Sequence, residues 1–162
     1  MDESRFWELI DQTRSSDVGR HAAQLARVVA SYGPEQTRAF DEIWQAKRVA
    51  AYRWDLWAAA YEIFGGCSDD GFADFRNYLI SLGASTYQGA LDDPDSLVEL
   101  DIPPELEAEE ISYVGQMAYE QLQVEPPIYA HSDPSEPLGE KWSEAGDGSK
   151  NVVPRLAAKY RA

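Results

Sequence analysis

The stretch that most restricts the fold runs from residue 40 to residue 76, FDEIWQAKRVAAYRWDLWAAAYEIFGGCSDDGFADFR. Its first half places Ile43, Trp44, Ala50, Ala51, Trp54, Trp57, Ala58, Ala60, Tyr61 and Phe64 on more than one stripe of a helical wheel. A helix that is apolar nearly all round cannot lie on a surface and must be surrounded by other elements. Gly65 and Gly66 then stop it, because glycine takes the left-handed conformation that closes helices, and Ser68 or Asp69 restarts the chain as an N-cap. The pattern predicts a long central helix from about residue 35 to Phe64, with one permitted break near Lys47. At 1.5 Å per residue it would span roughly 40 Å.

Helical periods continue on both sides. Asp2 and Asp17 are N-caps for helices whose apolar faces are Phe6, Leu9 and Ile10, then Ala22, Leu25, Val28 and Val29. Gly33-Pro34 ends the second. After Gly71, the stripe Phe72, Phe75, Leu79 and Leu82 predicts a further helix closed by Gly83, and Tyr87, Ala90 and Leu91 a short one. A last long helix is expected after Pro103-Pro104, its first turn loaded with Glu105, Glu107, Glu109 and Glu110, where carboxylates meet the positive end of the helix dipole. Residues 124–150 lose all period and read as an irregular proline-rich loop, pinned in part by Ile128, Tyr129, Leu138 and Trp142. Residues 151–162 form a short basic helix, expected to dock on the acidic surface. No alternating strand pattern or hairpin turn occurs. The expectation is an all-α fold, a single-domain helical bundle over residues 1–162.

Charge narrows the partners. The net charge is −15, and residues 77–140 contain fourteen acids and no lysine or arginine. Such a field repels nucleic acid backbones and anionic membranes, which need clustered bases. It suits a cationic protein surface, or serves solubility alone. Spaced rows of acids could also mimic a nucleic acid for a DNA-binding partner. A single cysteine, Cys67, makes no internal disulfide and no thiolate zinc set. The opening residues MDESRFWELIDQ lack an apolar signal core, and no apolar run reaches the roughly 18 residues of a membrane span. A cytoplasmic protein is expected.

Candidate site residues gather in the opening stretch. Asp69 and Asp70 can ligate a hard cation with oxygen ligands from elsewhere, or simply complement the helix N-terminus. Cys67 can be a nucleophile or a buried structural thiol, and two neighbouring acids oppose the first. Arg53, Asp55 and Arg76 lie among large aromatics and must reach solvent or pair. An ion pair from Arg76 to Asp69, Asp70 or Asp55 would join the two helices. Alternatively, Trp54, Trp57, Tyr61 and Arg76 would line a pocket for a planar or anionic ligand. His131, near Asp133, is a further candidate base on the loop. No catalytic set and no cofactor motif is present.

The run LWAAAYEIFGGCSDDGFADFRNYLISLG (residues 56–83), with FWELID (6–11) and PRLAAKY (154–160), resembles the domain-of-unknown-function family 4240 over essentially the whole chain. The resemblance implies a small stand-alone bacterial domain and carries no activity. The expected function is a non-enzymatic interaction module with an acidic face for a cationic partner. The alternative is a small-ligand- or metal-binding protein, or an enzyme, with its pocket at the helix junction of residues 65–76.

Overall fold

The structure, a computed structural model, describes residues 1–128 and 132–161. It is all-α, and among the described residues the only β pairing is one isolated bridge. Helix α1 (Glu3–Gln12) is capped by the Asp2 carboxylate, which accepts the Arg5 N–H, and α2 (Val18–Ser31) by Asp17, which accepts the Arg20 N–H. Each cap satisfies one of the N–H groups that a helix leaves unpaired at its start. Gly33, at φ 86°, turns the chain into α3 (Pro34–Ala50), a conformation that side-chain-bearing residues resist. Phe6 of α1 packs on Phe40 and Trp44 of α3, with ring centroids 4.8 and 6.0 Å away.

The expected central helix is present as two. Helix α4 (Trp54–Phe64) is separated from α3 by an extended Arg53, φ −137° and ψ 142°. Neither glycine nor proline marks the break. The backbone there is held by the loop: Leu138 N–H donates to the Tyr52 carbonyl and Trp54 N–H donates to the Leu138 carbonyl, both at 2.9 Å. These bonds form the Arg53–Leu138 bridge and replace the helical bonds that continuation would have supplied. The break falls a turn beyond Lys47, set by a residue far downstream. Helix α4 is buried nearly all round through Leu56, Ala58, Ala59, Ala60 and Ile63, as its composition requires.

Helix α5 (Asp69–Ser81) and α6 (Ala84–Asp92) follow, then a 3-10 helix, Pro94–Glu99. The helix expected after Pro104 starts later. A 3-10 turn, Glu109–Tyr113, leads into α7 (Val114–Leu122), so Glu105 and Glu107 lie in irregular chain and complement no helix end. Helix α7 packs on α2 and α3, while α4 packs on α8 (Gly148–Val152) and α9 (Pro154–Arg161). Asp95, buried, caps α9 from outside by accepting the Arg155 and Leu156 N–H groups at 3.0 and 2.8 Å. Lys159 reaches the Val98 and Leu100 carbonyls and Asp101, and Arg161 pairs with buried Glu62 at 3.3 Å.

Candidate functional site

At the α4–α5 junction, Gly65 closes α4 at φ 74° and the Gly66 N–H returns to the Tyr61 carbonyl at 2.9 Å. The Ser68 hydroxyl accepts the Gly71 N–H at 3.2 Å, so the serine caps α5. Asp69 and Asp70 stand exposed in the first turn, where their charge meets the helix dipole. Among the described residues, no group of three or more His, Cys, Asp or Glu side chains is placed to hold a metal ion. The Cys67 thiol is pushed up to about 12, first by burial and then by Asp74 and Asp69. It is therefore a thiol and not a thiolate at neutral pH. His21 is buried, with Nε2 3.2 Å from the Ile10 carbonyl, and burial lowers its pKa. His131 lies outside the described residues.

Arg76 corrects the expected pairing. Its side chain is 2% exposed, and the guanidinium forks onto Asp133 of the loop, Nη1 and Nη2 each donating at 2.8 Å. Nη1 also donates to the Arg48 carbonyl at 3.0 Å, and Arg48 Nη1 donates to both Asp133 oxygens at 3.2 and 3.3 Å. Asp69 and Asp70 lie about two turns up α5 at its exposed end, out of reach of a side chain that points inward. Asp55 is taken by Arg53 at 2.8 and 3.1 Å. The Arg76 guanidinium carbon lies 4.6 Å from the Tyr52 ring centroid and 5.0 Å from that of Phe72.

Trp54, Trp57 and Tyr61 form the seam on which the loop packs. Trp54 stacks on Trp57 at 5.5 Å and Trp57 on Phe72 at 4.7 Å. Trp142 of the loop meets Tyr61 edge-on at 5.1 Å and donates its Nε1–H to the Trp54 carbonyl at 2.7 Å. The structure joins these three aromatics and Arg76 into one packed neighbourhood and leaves Asp69 and Asp70 outside it.

A cleft of about 670 Å³ opens on another face of α5. Gly71, Asp74, Phe75 and Tyr78 recur at helical spacing along that face and form one wall. Residues 104–108 and the start of the 3-10 turn form the other, so that Glu105, Glu107, Glu109 and Glu110 are among its lining residues, Glu109 near Asp74 and the Glu110 carboxylate against Gly19 of α2. Phe64, Phe75 and Tyr78 supply apolar surface. No lysine or arginine lines it, and among the described residues no ion pair reaches any of these five carboxylates. Burial raises the Asp74 pKa against a lowering hydrogen bond from Ser112 Oγ at 3.3 Å, and Glu109 and Asp70 add to the rise. Ser112 also accepts from Asn77 Nδ2 at 3.1 Å, and Asn77 Oδ1 accepts the Trp44 indole N–H at 2.8 Å. This chain of bonds fixes Asp74 against α3. Asp74 was not singled out from sequence. The signal was its place in FADFR, three residues after Gly71 and four before Tyr78, which puts it on one face with both. A second cleft, about 510 Å³, lies between α3 and α7.

Fold and site together define an all-helical protein whose cleft is carboxylate-lined and partly aromatic. Among the described residues no helix is long and apolar enough to cross a membrane. The chain belongs to the family described as Protein of unknown function (DUF4240), whose model matches residues 1–121. Both walls of the cleft lie within the matched residues, and the loop with Asp133 and the closing PRLAAKY lie beyond them. No curated protein and no solved structure matches the chain.

Proposed function

We propose that this protein is a non-enzymatic binding module that receives a lysine or arginine side chain of a partner protein in the cleft between α5 and residues 104–110. The observation that carries this reading is the cleft itself: five acidic residues in its lining, no base, and aromatic rings at one side. Asp74 is half-buried with the charges of Glu109 and Asp70 near it, and a cation relieves that repulsion as it enters. The rings suit the apolar stem of a long basic side chain and, through their faces, its charge. We infer a bacterial, cytoplasmic setting with nucleic acid excluded as a partner, in keeping with the lone cysteine and the acidic surface.

The test is titration with a lysine- and arginine-rich peptide at several salt concentrations. Affinity should fall as salt rises and should drop about tenfold in Asp74→Asn combined with Glu107→Gln. Binding that is unchanged from low to high salt, or unaffected by the pair of substitutions, rejects the reading. A second reading has its own support in the size of the cleft, which lies in the range of small-ligand sites of roughly 300–1,000 Å³. On it the occupant is a small cationic metabolite, and a thermal shift with such amines but not with basic peptides would favour it.

A further inference from the structure

In a chain of net charge −15, Arg76 and Arg48 converge on one point, and the group they hold comes from a separate part of the chain. Arg76 projects from α5 into a slot walled by Tyr52 and Phe72, 1% exposed, with its buried Nε atom lacking any hydrogen-bond partner. Fork-to-fork pairing of an arginine with a carboxylate, backed by aromatic faces, is how proteins recognise carboxylates in ligands. Here the carboxylate is Asp133, carried on a strap, residues 132–142, that has no helix and is attached at few points. Those points are Asp133 in the slot, Leu138 bridged through its backbone to Tyr52 and Trp54, Lys141 over the Trp54 ring at 5.1 Å, and Trp142 against Tyr61 and the Trp54 carbonyl. Pro137 is also buried, but most of the strap faces solvent, including Ser135, Glu136, Gly139 and Glu140.

This is the arrangement of an extended peptide on a receptor: one charged side chain in a pocket, backbone bonds to an exposed edge, and one aromatic anchor. Slot and bridge edge lie within the residues that match the family, and the strap lies outside them. We propose that the groove formed by Arg76, Arg48, Tyr52 and the backbone of residues 52–54 is a peptide-binding site occupied in cis by the strap. The partner it fits is an extended acidic peptide whose carboxylate displaces Asp133. This groove is separate from the acidic cleft and takes ligands of opposite charge, so neither reading depends on the other. A cis segment competes at high effective concentration, which keeps the groove closed until a stronger peptide arrives.

The experiment uses the full-length protein with Asp133→Asn and Trp142→Ala, which loosens the strap and substitutes no residue of the groove. It is titrated with a fluorescein-labelled peptide of residues 132–142 and, separately, with the same peptide carrying Asp133→Asn. The peptide should bind the variant at least about tenfold more tightly than it binds the wild type, and about tenfold more tightly than the Asp133→Asn peptide does. Equal binding by the two peptides, or no binding to the folded variant, overturns the proposal. Acetate is the third arm: stabilisation of the variant by acetate without peptide binding also overturns it, because the slot would then serve a free carboxylate. Should the variant not fold alone, refolding is followed by near-ultraviolet circular dichroism with each peptide present. Recovery with the Asp133 peptide alone supports the proposal, and recovery with neither, or with both, overturns it.

Discussion

Arg76 is the largest side chain fully inside the protein, and a guanidinium cannot shed its proton to ease burial. Its position therefore depends on Asp133. Removing one partner of such a pair strands the other, so Asp133→Ala should lower the unfolding free energy by about 3 kcal/mol, read from the urea midpoint. The hydrogen bonds from Arg76, and after them the charges of Arg76 and Arg48, hold the Asp133 carboxyl below its ordinary value. A depressed folded pKa gives stability that is present above the unfolded value of about 3.9 and lost as pH falls through the folded one. The wild type should thus lose more stability than Asp133→Ala on acidification below about pH 4. Asp74 has the opposite sign. Burial raises its folded pKa, so its contribution is complete below the unfolded value and is lost as pH rises through the folded one. Asp74→Asn should accordingly raise Tm at pH 7 by about 2 °C while weakening capture of a cationic peptide. A loss of both stability and binding would mean that Asp74 acts through packing alone.

At the scale of elements, the junction at residues 65–71 is a local device and tests as one. Ser68→Ala should cost about 1 kcal/mol, whereas Asp69→Asn and Asp70→Asn, both exposed, should each cost about 0.5 kcal/mol through the lost interaction with the helix dipole, less in high salt. Thermal unfolding of the three variants at two salt concentrations separates the effects. What was legible in the sequence has this same local character. The caps Asp2 and Asp17, the turns at Gly33, Gly65 and Gly83, and the apolar stripes of α1, α2 and α5 all arise from contacts within a few residues of each signal. The break between α3 and α4 falls a turn past the one expected near Lys47, because residues 51–53 carry no helix breaker and the bonds that hold them open come from Leu138. The partner of Arg76 was missed for the same reason: a pair spanning 57 residues leaves no periodic trace. The site was partly visible. The acids at residues 105–110 are expected to complement a helix end, but the 3-10 turn begins at Glu109 and α7 at Val114, so Glu105 and Glu107 complement none and the segment lies along the cleft.

Over the whole molecule, most bases are spent internally. Lys47 pairs with Glu3, Arg155 with Glu99, Lys159 with Asp101 and Arg161 with Glu62, besides the Arg48 and Arg76 pairs on Asp133. The excess of acids is left on the surface and in the cleft, giving one field with two consequences of opposite sign. Self-repulsion of a chain at −15 opposes the compact state, and salt screens it. Attraction of a cationic partner favours the complex, and salt screens that too. Between about 0.01 M and 1 M the screening length falls from about 30 Å to about 3 Å. Raising NaCl over that range should therefore raise the Tm of the free protein by a few degrees and lower its affinity for a lysine-rich peptide by about a hundredfold. The slope of affinity against salt should flatten in Asp74→Asn combined with Glu107→Gln, while the salt dependence of Tm changes little, because only two of the 29 acids are removed and the general field remains. Differential scanning calorimetry and peptide titration on the same samples measure both. If the salt slope of affinity were the same in that double variant as in the wild type, the cleft would be acting as part of the general surface charge and not as a receiving site.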